Sequence, residues 1–339
     1  MKKIKTENAV GMKLAHDITR IVPGRFKGAA FKKGQIVRKQ DVPALLKVGK
    51  QFLYVLDLPQ NHLHEDDAAL RMAKAIGNKT VAWTRPSEGK SRLIGKKAGL
   101  LKINISGLAK LNRMGQISIV TLKNHLPCEA GQTIAAARII PLSIEKRKIE
   151  KVEQLAKRIG PIVQVLPFKK MKVGAVVTGS EIYKGLIKDE FDRYVGKKII
   201  GFGSKVIKKI ITPDDPQMIA AAIKALAGLR CDLILTTGGL SVDPDDATRK
   251  GIKQSGARIV VYGAPIMPGA MFLYAKLKSI PILGLPACVY YHSATVFDLM
   301  LPRVLAGEAI TRKEIALMGH GGLCMHCKEC RFPVCPFGK

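Results

Sequence analysis

The sequence predicts an α/β fold. Its centre is a three-layer, parallel-sheet domain over residues 168–310. An α+β region over residues 1–145 and a helical connector over 146–167 precede it, and a short Cys-rich metal-binding tail over 311–339 follows. Three observations carry this prediction. The chain has 339 residues, more than one hydrophobic core sustains. From residue 171 onward, short apolar runs alternate with helix-like stretches, the pattern of a parallel sheet covered on both faces. Three loops (178–181, 236–246 and 284–288) fall at the carboxyl ends of those runs, where such sheets bind ligands.

The elements follow in order. Ala30 to Val37 reads as a strand with a Gly34 turn. Asp41 caps a short helix carrying Leu45, Leu46 and Val48, and Phe52 to Leu56 is the next strand. Ala69, Met72, Ala73 and Ile76 recur at helical spacing behind Glu65, Asp66 and Asp67. Short β-like runs follow at 100–105, 116–122 and 132–140, then a charged helical pattern at 143–158. In the second half, strands are expected at Lys172–Val177, Lys205–Ile211, Asp232–Leu235, Arg258–Val261 and Pro281–Leu283. Helices are expected near 188–200, after Pro213-Asp214-Asp215-Pro216, near 246–255 and near 290–306.

The formal net charge is +31, with Lys and Arg spread along the whole chain. Such a field suits an anionic partner, and a Lys-rich composition that favours solubility is the other reading. No basic run is interleaved with aromatics, so nucleic-acid binding rests on charge alone. Met1-Lys2-Lys3 is followed by Lys5, Thr6, Glu7 and Asn8 instead of an apolar stretch, and no run has the length of a membrane span. A cytoplasmic protein without membrane partners is expected, its seven cysteines reduced. His62 and His64 beside Glu65 read as a solvated helix start, with metal binding as the other reading. His16-Asp17 reads as an ordinary turn or strand-end pair. The sequence shows no phosphate-binding P-loop, nucleophile elbow or His-Glu-x-x-His.

The sharpest feature is Thr236-Thr237-Gly238-Gly239-Leu240-Ser241-Val242-Asp243-Pro244-Asp245-Asp246. Adjacent glycines let a backbone approach a ligand closely. A helix starting near Asp246 would add a dipole that favours anions. Three aspartates beside an anion cradle call for a cation between, and Mg²⁺ suits carboxylate oxygens and phosphates. The alternative is a tight turn with an Asp helix cap.

This loop resembles the signature of molybdopterin-binding domains, as found in molybdopterin adenylyltransferases and molybdopterin molybdenumtransferases. Thr178-Gly179-Ser180-Glu181, Pro213-Asp214-Asp215, Pro268-Gly269 and Gly284-Leu285-Pro286 match further family loops in the expected order. Glu7 to Gly11 and Leu14 to Asp17 are similar to the opening of the molybdenumtransferases. The resemblance implies that Thr178, Gly179, Ser180, Thr237, Gly238, Gly239, Ser241, Pro268, Gly269, Gly284 and Pro286 bind the pterin. It implies that Glu181, Asp243 and Asp246 act in catalysis, and that Asp243, Asp245 and Asp246 hold Mg²⁺. The implied ligand is molybdopterin or its adenylylated form, with molybdate, in a homo-oligomer that serves a molybdoenzyme.

The departures are specific. The family's Lys-Pro-Gly-Lys-Pro reads Met267-Pro268-Gly269-Ala270-Met271, without either lysine. Gly-Leu-Pro-Gly-Asn-Pro reads Gly284-Leu285-Pro286-Ala287-Cys288-Val289, and Asp-Ser-Asn reads Asp189-Glu190-Phe191. Cys288 reads as a small buried hydrophobe, or as a soft ligand facing the pocket. Two functions follow: a Mg²⁺-dependent enzyme inserting molybdate into adenylylated molybdopterin, or a non-catalytic carrier, chaperone or sensor of the cofactor.

The tail carries Cys324, Cys327, Cys330 and Cys335 in the spacing C-x₂-C-x₂-C-x₄-C-P. That spacing approaches the bacterial ferredoxin pattern and suits a [4Fe–4S] cluster. Zinc takes the same ligands, with His320 or His326 as substitutes. An unstructured reactive tail is the third reading.

Overall fold

The computed structural model describes residues 1–241 and 246–338. Contacts divide it into two compact units: residues 1–124 with 128–165, and 125–127 with 166–339. No helix of the described residues is long and apolar enough to cross a membrane.

The first unit is α+β. Strand Lys2–Lys5 pairs antiparallel with Phe52–Val55, around a small core of Leu14, Ile18, Leu45 and Leu53. A hairpin joins Ile18–Val22 to Phe26–Phe31. The strand expected over 30–37 therefore starts earlier and stops at Phe31. Gly34 takes φ +77°, a left-handed turn that ends the ladder, and only Ile36 makes a further bridge, to Lys13. Helix Glu65–Ile76 packs Ala68, Met72, Ala73 and Ile76 into a second core with the antiparallel strands Lys90–Gly95, Thr133–Ile139 and Ile117–Thr121. Helix Lys146–Ile159, within the span read as a connector, packs Ile149 and Val152 into that same core. A further helix, Ile105–Asn112, lies where the sequence pattern shows none. Asn104 caps it by accepting the Gly107 N–H at 2.9 Å.

His64 and Glu65 are not the solvated helix start expected, being 3% and 7% exposed. His64 Nε2 donates to the Ala15 carbonyl at 2.8 Å. Its Nδ1 accepts from the Asp66 N–H at 3.1 Å and from Lys33 Nζ at 2.7 Å. The ring therefore caps the helix while tying it to the N-terminal segment.

The second unit is built on a six-stranded sheet. Its strands are β1 (Lys172–Thr178), β2 (Lys205–Thr212), β3 (Leu233–Thr237), β4 (Arg258–Tyr262), β5 (Leu273–Leu277) and β6 (Ile280–Leu285), in the order β2-β1-β3-β6-β5-β4. β2, β1, β3 and β6 pair in parallel. β5 is antiparallel to both its neighbours, so the sheet is mixed at this edge. The turn joining β5 to β6 is only Lys278-Ser279, with Lys278 at φ +55°. No glycine marks that hairpin, so its turn carries no signal in the sequence.

Alternation along the strands feeds two cores. Val173, Ala175, Val177, Leu233, Leu235 and Leu283 face one side, against Phe191, Val195 and helix α3 (Val296–Leu305). Val176, Ile234 and Ile282 face the other, against helices α1 (Pro216–Gly228) and α2 (Thr248–Gln254). Asp215 caps α1 by accepting the Met218 N–H at 2.7 Å, with Pro216 in the first turn. α3 starts at Val296 because Thr295 and Asp298 form a reciprocal capping box.

Burial pushes the Glu65 carboxyl above its ordinary value, against the opposing pull of His64 and Arg138. Its contribution to stability is therefore complete below the ordinary carboxylate value and is lost as pH rises through the raised one. Glu65→Gln is expected to raise the melting temperature at pH 8 and leave it unchanged at pH 4; thermal denaturation at both pH values checks this.

Candidate functional site

The loops after β1, β2, β3 and β6 converge on one cleft of about 1270 Å³. Thr178, Gly179, Ser180 and Glu181 reach it from β1, Asp214 from β2, Gly238 to Ser241 from β3, and Leu285 to Ala287 from β6. Asp246 and Lys250 complete the wall from the side of α2.

The glycine turn is held from beneath. Thr178 Oγ1 donates to the Thr237 carbonyl at 3.0 Å and lies 3.0 Å from Thr248 Oγ1. Thr248 Oγ1 donates to the Gly238 carbonyl at 2.9 Å, and its N–H to the Gly239 carbonyl at 3.2 Å. Both glycine carbonyls are thus turned inward. Gly238 and Gly239 take φ +87° and +55°. A Cβ on Gly238 would lie 2.3 Å from the Thr178 carbonyl oxygen, and one on Gly239 2.7 Å from Thr248 Oγ1. No side chain fits either position.

Neighbouring loops are pinned in the same way. The Asp214 carboxylate accepts the Ser180 N–H at 2.8 Å and the Ser180 hydroxyl at 3.1 Å, joining the β1 and β2 loops. Tyr262 donates its hydroxyl to the Leu240 carbonyl at 2.7 Å. Tyr290 donates to Thr237 Oγ1 at 3.1 Å, and burial holds its phenol above the usual value. Thr236 Oγ1, one residue deeper, is buried without a hydrogen-bond partner.

Not every expected site residue reaches the cleft. Thr178, Gly179, Ser180, Glu181, Gly238, Gly239, Ser241, Asp246 and Pro286 line it. Thr237 lies beneath, buried. Gly284 is buried in the sheet, where a Cβ would come within 2.8 Å of Leu240. Pro268 and Gly269 are buried too, and a Cβ on Gly269 would meet Val296 at 2.5 Å. These two glycines answer to packing within the protein. Asp243 and Asp245 lie outside the described residues. α2 starts at Thr248, two residues past Asp246, and spans only seven residues, so the expected helix dipole has little length behind it. Cys288 is half-buried, and burial raises its thiol. Asp189 and Phe191 serve the fold: Asp189 pairs with Lys209 at 2.5 Å, and Phe191 is fully buried.

Ala247 and Lys250 line the cleft from beyond the loops expected from the sequence. Lys250 follows the acidic loop by four positions, within the first turn of α2, which was the available signal. Among the described residues, no group of three or more His, Cys, Asp or Glu side chains is gathered to hold a metal ion.

Known proteins share parts of this chain. Residues 174–306 match the model of a family described as a probable molybdopterin binding domain. Residues 3–57 match a domain of unknown function, DUF8806. A CinA-like protein of Thermosipho melanesiensis is 31% identical over 84 residues, 25% of this chain and 21% of that protein. A protein of Archaeoglobus fulgidus is 37% identical over 86 residues, 25% of this chain and 37% of that protein. The chain thus spans well under half the length of these relatives. Among solved structures, the molybdopterin biosynthesis MoeA protein of Pyrococcus horikosii aligns at TM-score 0.36 and 15% identity, covering 90% of this chain and 74% of that one. The Thermus molybdopterin biosynthesis enzyme MoaB aligns at TM-score 0.34 and 19% identity, covering 41% and 98%.

Gly238→Ala is expected to destabilise the second unit by more than about 1 kcal/mol, since left-handed strain and the clash with Thr178 act together. Urea denaturation measures it.

Proposed function

We propose that the cleft binds the phosphate-bearing end of molybdopterin, or of its adenylylated form, for molybdenum-cofactor assembly, a reading supported by the match of residues 174–306 to the model of a probable molybdopterin binding domain. The observation that carries this is the convergence of four strand-end loops on one cleft that pairs a glycine turn with Lys250. A backbone stripped of side chains can approach an oxyanion closely. Lys250 supplies a cation on the same wall. Glu181 and Asp246 both line the cleft and would belong to the acidic set that holds Mg²⁺, to which the resemblance alone assigns Asp243 and Asp245. Bound there, Mg²⁺ would neutralise a pyrophosphate and so aid molybdate insertion. The proposed setting is the cytoplasm, with a homo-oligomer as the working form and a molybdoenzyme as final recipient.

One observation favours a second reading, a carrier that binds the cofactor without turnover. Met271 lines the cleft beside Ala270, the position where the resemblance calls for lysine. That wall offers a thioether and no cation for molybdate. A single-turnover assay separates the two: with Mg²⁺ and molybdate, the enzyme releases AMP from adenylylated molybdopterin, whereas the carrier binds it and releases none.

Both readings place the anion beside Lys250. Lys250→Ala is expected to weaken molybdopterin binding roughly tenfold, about 1.4 kcal/mol, as measured by calorimetric titration. Unchanged affinity would move the phosphate elsewhere.

A further inference from the structure

The C-terminal tail takes no part in the cleft, yet it is anchored at both ends. Leu323 bridges to Met267. The Met267 N–H donates to the Gly322 carbonyl, and the Cys324 N–H to the Met267 carbonyl, both at 2.8 Å. At the far end the Gly338 N–H returns to the Gly321 carbonyl at 2.8 Å, and Phe337 is 2% exposed within the core. The chain between these anchors is a closed loop, and it contains all four cysteines of the C-x₂-C-x₂-C-x₄-C run. It has no helix or strand. Met325 and Val334 are 71% and 81% exposed, while Phe332 and Phe337 pack against the core and leave the cysteine-bearing stretch between the anchors looped over it.

What the four cysteines share is a cavity of about 240 Å³, lined by Cys324, Cys327, Cys330 and Cys335 together with His292 and His326. All four thiols are free. We infer that this loop binds a soft metal centre through the four thiolates, either zinc or a preformed [4Fe–4S] cluster. Sulfur ligands select these over hard cations. The four thiols stand around the cavity without converging on a single point, and a loop without regular hydrogen bonding can contract around a metal. Each ligating thiol releases its proton to solvent, and no electron is transferred. Either centre carries a net charge of about −2 with four thiolates. Lys328 and Arg331 line the same cavity and offset it.

The centre would also bear on the cleft. Leu285 to Ala287 line the cleft, and Tyr291 to Ala294 line the tail cavity. The short segment from Leu285 to Ala294 therefore borders both cavities.

The test is metal and acid-labile sulfide analysis of the whole chain purified without oxygen. The expected content is about one zinc, or about four iron and four sulfide, per chain. The Cys327→Ser/Cys330→Ser variant, altered at two exposed positions, should carry about tenfold less metal while its circular dichroism matches the parent. Three results would overturn the inference. One is a parent protein that is metal-free and takes up neither Zn²⁺ nor a cluster. The second is a double variant that keeps the parent's metal content. The third is mass spectrometry of that anaerobic protein showing the four cysteines joined as disulfides. Each is read without molybdopterin, so failure here leaves the cleft proposal standing.

Discussion

Under the glycine turn, two threonine hydroxyls serve three short contacts: Thr178 to the Thr237 carbonyl, Thr248 to the Gly238 carbonyl, and Thr178 to Thr248. Two hydroxyls bring only two protons, so one proton is shared between acceptors. Thr178, Thr237 and Thr248 are buried, and leaving one of their polar groups unpaired would cost about 1–3 kcal/mol. This junction ties the end of β1, the end of β3 and the start of α2 into one point. Both glycines are needed because the Thr178 backbone and the Thr248 hydroxyl stand where their side chains would be. The cleft is shaped by that constraint, and the Ser180–Asp214 and Tyr290–Thr237 bonds extend it to the flanking loops.

The segment 267–271 shows how a sequence departure becomes a structural one. In place of the two lysines it carries Met267 and Ala270, and Met271 stands where the pattern has proline. Its backbone pairs with the tail at Gly322 and Cys324, and its Pro-Gly is packed under Val296. A segment that the resemblance assigns to the pterin is here committed partly to the C-terminal loop. Only Met271 remains on the cleft.

Much of the second unit was legible in the sequence. The apolar runs at 172–177 and 232–235 mark buried parallel strands, the strand-like 205–211 is the parallel edge strand, and Asp215-Pro216 announces a helix start. Strand Leu273–Leu277 was not legible, because its hairpin turns on Lys278 without a glycine. Burial of His64 was hidden for another reason: its partners Ala15 and Lys33 lie 49 and 31 positions away, and local pattern cannot show such contacts. In the cleft, the loops were legible from their position at strand ends. The division of the glycines was not. Gly238 and Gly239 face the cleft, while Gly269 and Gly284 answer to packing against Val296, Leu240 and Leu273. Both kinds look alike in sequence, since at each a neighbouring group of the protein stands where a Cβ would be.

Amide hydrogen exchange with and without molybdopterin addresses the central claim most directly. If the strand-end loops bind the phosphate end of the pterin, the ligand slows exchange at Gly179 to Glu181 and at Gly238 to Ser241. No change at either loop, or protection confined to the first unit, would contradict the account.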